Sequence, residues 1–246
     1  MKHFIIPDTQ VKPQVRLNHL TAAGNYIAAK KPDVIIHLGD HWDMHSLSSY
    51  DAGKKASEGA RYNSDIEAGI EGMDLLTSAI AKAGRGYKPR RIFLIGNHEQ
   101  RIERHVETYP ILEGKLSYED FKLKKFGWEV HDFLKIVCVN GVHYSHYFHP
   151  SNSSNPYTGK ASTKLANIGF SFTMGHQQGL DVAMKPLANG KVIRGLVAGS
   201  FYQHDELYKG HQGNHHWRGC IMKHEVKDGN YGLLEISLKY LLKEWL

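Results

Sequence analysis

Short apolar runs in this sequence repeatedly end in carboxylate, amide and imidazole side chains. Oxygen and imidazole donors of this kind, with no thiolate among them, suit hard or borderline divalent metal ions. Asp40 is the central candidate, because one carboxylate has two oxygens and can bridge two cations. Two cations about 3.5–4 Å apart would stabilise both the attacking and the leaving oxygen of a phosphoryl displacement. The candidate metal ligands are Asp8, Gln10, Asp40, Asn97, His146, His176 and Gln178.

Alternating strands and helices in the first half of the chain would position several of these residues. This alternation predicts a largely parallel sheet with right-handed crossovers. The carboxyl ends of parallel strands lie at one edge of the sheet, so the polar tips of these strands are expected to face one another. Hydrophobic periodicity predicts strands over 3–6, 33–38 and 91–95, and helices over 14–31, 64–83 (with Ser64 as N-cap) and 99–107.

After residue 126 the pattern is typical of strands joined by tight turns. Asn-Gly or Asp-Gly pairs at 140–141, 189–190 and 228–229 predict these turns. A strand is expected over 142–148, with His146 near its loop end as the ligand and His143 and His149 as alternatives. We therefore predict one domain over residues 1–246, built from two packed sheets.

Composition limits the classes of function. The chain has 246 residues, a net charge of +6 and a pI of about 9.1, which favours anionic partners such as nucleic acid or nucleotides. Cys138 and Cys220 cannot form a disulfide framework or a cysteine metal site, and we expect both to be reduced core residues of a cytoplasmic protein. The apolar run at the start is too short for a signal peptide, and no run is long enough to span a membrane.

Five ordered motifs resemble a known family. The chain has Asp-x-Gln at 8–10, GDHWD at 39–43, GNHE at 96–99, a later histidine, and GHQQ at 175–178. This order resembles the calcineurin-like metallophosphoesterases. The resemblance implies an α/β fold, a metallophosphoesterase-like αββα sandwich of two mixed sheets flanked by helices. It also implies two divalent metal ions that activate water for in-line attack on a phosphoester.

Carried over by position, the resemblance assigns a role to each motif residue. His98 would contact the substrate phosphate and assist the leaving group, and Asp43 would orient His98 or the ligands. Arg101 and Arg104, on the following helix, are candidate phosphate contacts. Asp40 would bridge the two ions, with Asn97, His146 and His176 completing one site and Asp8, Gln10 and Gln178 forming the other.

Two positions depart from the family pattern. Gln10 and Gln178 stand where the family usually has histidine, and both belong to the same metal site. A neutral amide oxygen is a weaker and harder donor than imidazole. We therefore expect this site to be labile and to prefer Mn²⁺, or Mg²⁺, over Zn²⁺ or iron.

The expected activity is hydrolysis of a phosphodiester in DNA or a nucleotide. The stretches SLSSYDAGK and GNHEQRIERH are similar to stand-alone phosphoesterases encoded by bacteriophages. One alternative is a phosphomonoesterase, including a protein Ser/Thr phosphatase. The other is a non-catalytic binding protein with a decayed metal site, an alternative supported only by the two glutamines.

Other histidines and aromatic residues have simpler interpretations. His41 and His45 are expected to be solvent-facing loop residues. The histidine-rich segment 204–216 is expected to be a loop near the site, with a separate metal site as the alternative. Tyr202, Tyr208 and Trp217 would either stack on bases or serve as packing residues.

Overall fold

The computed structural model describes residues 1–206 and 209–246, without the side chains of residues 56 and 211. Its first sheet has the strand order β11-β10-β1-β2-β3-β4. Strands β1 to β4 run parallel, as the sequence predicted, while β10 and β11 are antiparallel. The six strands are β1 (His3–Ile6), β2 (Val34–His37), β3 (Arg90–Leu94), β4 (Glu129–His131), β10 (Gly219–Lys227) and β11 (Asn230–Ser237).

The second sheet contains the remaining strands, in the order β5-β6-β7-β9-β8. Strands β6, β7 and β9 are parallel and the two edge strands are antiparallel, so this sheet is also mixed. The three predicted turns are confirmed, and they join β5 to β6, β8 to β9 and β10 to β11. The strands are β5 (Val137–Val139), β6 (Val142–Tyr144), β7 (Phe172–Met174), β8 (Leu180–Pro186) and β9 (Val192–Ala198).

Alternating side chains place the two sheets face to face with helices outside. In β1, Phe4 and Ile6 pack towards helices, whereas Ile5 packs in the core between the sheets. Helices α1, α2 and α6 pack on the outer face of the first sheet, and α4 covers the outer face of the second. The protein is thus an α/β sandwich of two mixed sheets. The helices are α1 (Asn18–Lys30), α2 (Tyr62–Ala81), α3 (Arg101–Thr108), α4 (Ala161–Ile168), α5 (Gly210–Gly213) and α6 (Leu238–Glu244).

Several predicted boundaries were wrong for local reasons. Helix α1 begins at Asn18 rather than at 14, since Gln14 has a φ of 68°. Helix α2 begins before Ser64, without a side-chain cap, and its Tyr62 hydroxyl donates to Asp120 Oδ2 at 2.6 Å. The strand predicted over 142–148 keeps ladder pairing only to residue 144.

The prediction for the cysteines was half right. Cys220 is buried, but Cys138 is exposed, because it points away from the core on the edge strand β5. No helix within the described ranges has the length and apolar character needed to cross a membrane.

Candidate metal centre and its surroundings

Four ligand-type side chains converge at the carboxyl ends of β2, β3, β6 and β7. Asn97 Oδ1 lies 2.8 Å from both His146 Nε2 and His176 Nδ1. Asp40 Oδ2 lies 3.4 Å from His146 Nε2. In the described part of the chain, Asp40, His146 and His176 form the only cluster of three or more His, Cys or carboxylate ligands, with all ligand atoms within 4.8 Å. Donors bound to one divalent ion at about 2.0–2.2 Å lie about 3 Å apart, so this arrangement fits a metal ion.

His146 is oriented for this role by the backbone. Its Nδ1 lies 2.7 Å from the carbonyl oxygen of Leu38, which can only accept, so Nδ1 carries a proton and Nε2 faces Asn97 and Asp40. A carbonyl that accepts from the far nitrogen of a metal-binding histidine fixes the tautomer and the ring orientation. Nε2 is therefore the atom that His146 offers to a cation.

The electrostatics of the centre favour a positive charge. Burial acts to lower the pKa of His146, but the Asp40 carboxylate outweighs it and raises that pKa to about 9. Burial acts to raise the pKa of Asp40, and His146 and His98 outweigh it and bring that pKa below its ordinary value. Burial and the charge of Asp40 raise the pKa of Asp8 to about 7. Two buried carboxylates this close are stabilised by a cation beside them.

Asp8 and Gln10 lie next to Asp40 and leave two acceptor atoms available. The backbone amide of Gln10 donates to the Asp40 carbonyl at 2.9 Å, and Asp8 Oδ1 accepts from the His176 amide at 3.1 Å. Asp8 Oδ2 and Gln10 Oε1 are buried and have no hydrogen-bond partner among the described residues. Unpaired buried oxygens are costly, and a bound cation would offset that cost at either atom.

Gln178 is held differently from the other candidate ligands. Its Oε1 accepts from the Tyr202 hydroxyl at 2.6 Å and also contacts Lys209 Nζ. Burial lowers the pKa of Lys209 to about 8, against the opposing attraction of Glu206 and Asp8. At the candidate second metal site, formed by Asp8, Gln10 and Gln178, the first two residues therefore have oxygens available to a metal ion. The Gln178 oxygen already contacts the Lys209 ammonium group.

Two glycines let the ligand loops approach each other. A Cβ on Gly96 would lie 2.2 Å from Asp40 Oδ1, and a Cβ on Gly175 would lie 2.4 Å from Asp8 Oδ1. Any side chain at either position would displace a carboxylate. The glycines of the GNHE and GHQQ motifs are therefore required by the packing of the candidate ligands.

Glu99 is the residue whose role the sequence analysis missed. Its buried carboxylate accepts from the backbone amides of Asp40, His41, Trp42 and Gly96 at 2.6–3.0 Å. Burial and the charge of Asp40 raise the pKa of Glu99 to about 7. Glu99 thus fixes the loop after β2 to the loop after β3. Its place at the end of the GNHE motif was the available signal.

His98 and Asp43 form a pair at the edge of the centre. His98 Nδ1 lies 2.9 Å from Asp43 Oδ1 and 2.8 Å from the Asp43 carbonyl, while Nε2 lies 3.8 Å from Asp40 Oδ2. Burial acts to lower the pKa of His98, but Asp40 and Asp43 outweigh it and raise that pKa to about 9. Burial acts to raise the pKa of Asp43, but the hydrogen bond and charge of His98 outweigh it and lower that pKa to about 2. Asp43 therefore orients a protonated His98.

Arg101 and Arg104 both lie on α3 and line the same cleft, but Arg101 also binds the backbone of the loop after β2. Arg101 Nη1 donates to the carbonyls of Asp43, at 2.7 Å, and Met44, at 3.2 Å, so it holds the loop after β2. Both arginines line a cleft of about 360 Å³ between α3 and residues 46–52. The cleft adjoins the centre, since Asp43 contacts both Arg101 and His98. Its other lining residues include Ser46, Ser48, Ser49, Tyr50, His105, Glu107 and Tyr109.

The expectation for His41 was wrong. His41 is buried, with Nδ1 2.7 Å from Thr9 Oγ1 and Nε2 3.0 Å from the Gly69 carbonyl, because α2 packs directly on this loop. His45 is half-buried, with Nδ1 3.6 Å from Asp51 Oδ2.

The two alternative ligands to His146 lie away from the centre. His143 Nδ1 lies 3.2 Å from the Ser171 carbonyl, and its ring packs on Phe170. His149 is exposed, and its Nδ1 lies 2.8 Å from the Pro150 carbonyl.

The described part of the segment 204–216 lies against the centre, as Lys209 shows. Glu206 Oε1 accepts from Lys12 Nζ at 2.8 Å and lies 2.7 Å from His204 Nε2. Tyr202 is buried and Trp217 packs against the core between the sheets, which favours a packing role for both. Tyr208 lies outside the described residues.

Comparisons with known proteins give little information beyond what the fold itself shows. No family model and no curated protein sequence matches the chain. Solved structures do match, and one of them covers 96% of this chain and 99% of its own, at 11% sequence identity and a TM-score of 0.42. Similarity at this level indicates neither a family nor an activity.

Proposed function

We propose that the protein is a divalent-metal-dependent phosphoesterase of the calcineurin-like type that hydrolyses phosphodiester bonds at a di-metal centre. The observation that carries this proposal is the convergence of Asp40, Asn97, His146 and His176 within bonding reach of one cation. Mn²⁺ is the expected ion, and Mg²⁺ the next, because the donors are oxygens and imidazoles without thiolate.

The residues around the centre supply the rest of the chemistry. When bound, divalent ions stabilise charge on phosphoryl oxygens and provide a water nucleophile at neutral pH. Asp40 and Asp43 raise the pKa of His98, which directs Nε2 towards the centre and would donate a proton to the leaving alcohol. Arg101 holds the loop that carries Asp43, which keeps the His98 ring in place.

The cleft beside the centre supports a nucleic acid or nucleotide substrate. Arg104 lines it together with Arg101 and would contact an additional phosphate. Tyr50 and Tyr109 are 76% and 53% exposed at the same cleft, where bases could stack on their rings. The net charge of +6 also favours an anionic polymer. A cytoplasmic location, expected from the low cysteine content, stays a prediction.

Two other functions remain as alternatives. A phosphomonoesterase would use the same centre, with a terminal phosphate in place of a diester. A non-catalytic binding protein would keep the fold without hydrolysis, and the neutral Gln10 and Gln178 are what favour it.

A substrate panel with added Mn²⁺ tests the proposal. The panel compares bis-p-nitrophenyl phosphate, p-nitrophenyl phosphate, single-stranded DNA, RNA and a phosphopeptide, with Asp40→Asn as the blank. We expect the diesters to be cleaved faster than the monoesters, and only by the wild-type protein. Preferential cleavage of monoesters would favour the phosphomonoesterase, and no cleavage with any metal would favour the binding protein.

A further inference from the structure

A lysine brings a positive charge to the second half of the metal centre. Lys209 Nζ contacts Gln178 Oε1 and lies 2.8 Å from the Tyr202 hydroxyl. Gln178 is one of the three residues that would complete the second metal site. The ammonium group therefore lies beside the place where the second cation would bind.

The segment that carries Lys209 is attached to the centre at both ends. Before Lys209, Glu206 Oε1 accepts from Lys12 Nζ at 2.8 Å. After Lys209, His216 Nε2 lies 2.8 Å from Ser200 Oγ. Ser200 is adjacent to Phe201, whose backbone amide donates to the Asp8 carbonyl at 2.7 Å. The Asn214 side-chain oxygen accepts from the Glu206 backbone amide, and its side-chain nitrogen donates to the Glu206 carbonyl, both at 2.9 Å. These contacts hold Lys209 near the centre.

We propose that the Lys209 ammonium group is an internal competitor of the second divalent cation, which binds Asp8, Gln10 and Gln178 only by displacing it. An ammonium group and a divalent ion repel each other at such short range, so the two cannot both be bound without a large cost. The neutral amides of Gln10 and Gln178 add no negative charge to offset this repulsion.

The unpaired oxygens explain why the second cation is not excluded altogether. Asp8 Oδ2 and Gln10 Oε1 are buried and lack a hydrogen-bond partner among the described residues, so they are available to a metal ion. Within the described ranges, no lysine or arginine is hydrogen-bonded to the side chains of Asn97, His146 and His176 at the first site. Metal binding is thus expected to be unequal, with one tight ion and one weak, exchangeable ion. This inference rests on the metal centre of the proposed function but not on hydrolysis.

Mn²⁺ titration of the full chain, without substrate, tests the competition. Calorimetry and metal analysis would compare the wild type with Lys209→Met and with Lys191→Met, a matched control at an exposed lysine on the turn between β8 and β9. We expect Lys209→Met to tighten the second site at least tenfold and to leave the first site unchanged. Lys191→Met should behave as the wild type does. Equal second-site affinity in the wild type and Lys209→Met would overturn the proposal.

Two further variants keep the test decisive if Lys209→Met fails to fold. Lys209→Arg keeps the charge and should leave the second site weak. Lys209→Gln removes the charge and keeps a polar side chain, so the second site should tighten; no tightening would count against the competition. Hydrolysis of bis-p-nitrophenyl phosphate at saturating Mn²⁺ is measured separately. If the protein hydrolyses no substrate but Lys209→Met still tightens the second site, the proposed function is wrong and the competition is supported.

Discussion

Glu99 Oε1 lies 2.6 Å from the backbone amide of His41, and the same carboxylate accepts from three further amides in the loops after β2 and β3. The loop after β2 carries Asp40, and the loop after β3 carries Asn97. One buried carboxylate therefore sets the distance between two candidate ligands that are 57 positions apart in the sequence. The geometry of the candidate metal centre therefore depends on Glu99 as well as on the candidate ligands.

Replacing Glu99 by glutamine should weaken both the fold and the metal centre. The nitrogen of the introduced side-chain amide would face backbone donors, so we expect a loss of about 1–3 kcal/mol in the free energy of unfolding. Metal affinity should fall about 10–100-fold, as for other residues that orient ligands. Urea unfolding and Mn²⁺ titration measure the two effects. Glu119→Gln, at an exposed ion pair with Lys124, is the control and should change neither; equal behaviour of the two variants would contradict the assigned role.

Replacing Asp43 by asparagine should separate catalysis from metal binding. Asp43 accepts from His98 Nδ1 and raises the pKa of His98, but it does not reach the cluster of ligand atoms. We therefore expect kcat for a diester to fall about 10²–10⁴-fold, the usual range for general acid catalysis. Bound Mn²⁺, measured by metal analysis, should stay the same. Loss of metal together with activity would show that Asp43 is a ligand instead.

Many features of the centre could be predicted from the sequence, because they depend on local patterns. Apolar runs followed by polar residues located Asp40, Asn97 and His176, and parallel strands bring such tips to one edge. The burial of His41 could not be predicted, since it results from the packing of α2. The contact of Lys209 with Gln178 was equally out of reach, because it joins residues 31 positions apart that lie before β8 and after β9.

Substitutions in the cleft should change the affinity for polymeric substrates. Tyr109 and Tyr50 line it with exposed rings, and stacking on such rings contributes about 1–3 kcal/mol per base. Tyr109→Ala should therefore raise KM for a single-stranded oligonucleotide about tenfold, with a smaller effect on kcat. Steady-state kinetics measure this split. Ile111→Ala, at a highly exposed residue that does not line the cleft, is the control. An unchanged KM in Tyr109→Ala would exclude stacking at this position.

Buried histidines should each contribute a loss of stability as the pH falls below about 6.5. Burial lowers the pKa of His3 to about 4 and that of His19 to about 3. In this window the unfolded chain binds protons that the folded chain does not, so each group costs up to about 1.4 kcal/mol per pH unit.

The contribution of His3 can be isolated with one variant. Urea unfolding of the metal-free protein at pH 7.5, 6 and 5 should show a weaker pH dependence for His3→Gln than for the wild type. His149→Gln, at an exposed histidine, should keep the wild-type pH dependence. The same slope in His3→Gln and His149→Gln would mean that His3 is not kept neutral by burial.

The most direct test of the metal centre is an anomalous difference map from a crystal soaked in Mn²⁺. A strong peak should lie within about 2.0–2.3 Å of a donor atom on each of Asp40, Asn97, His146 and His176. A second and weaker peak is expected beside Asp8 and Gln10. A map with no peak between Asp40 and His146 at saturating Mn²⁺ would contradict the account.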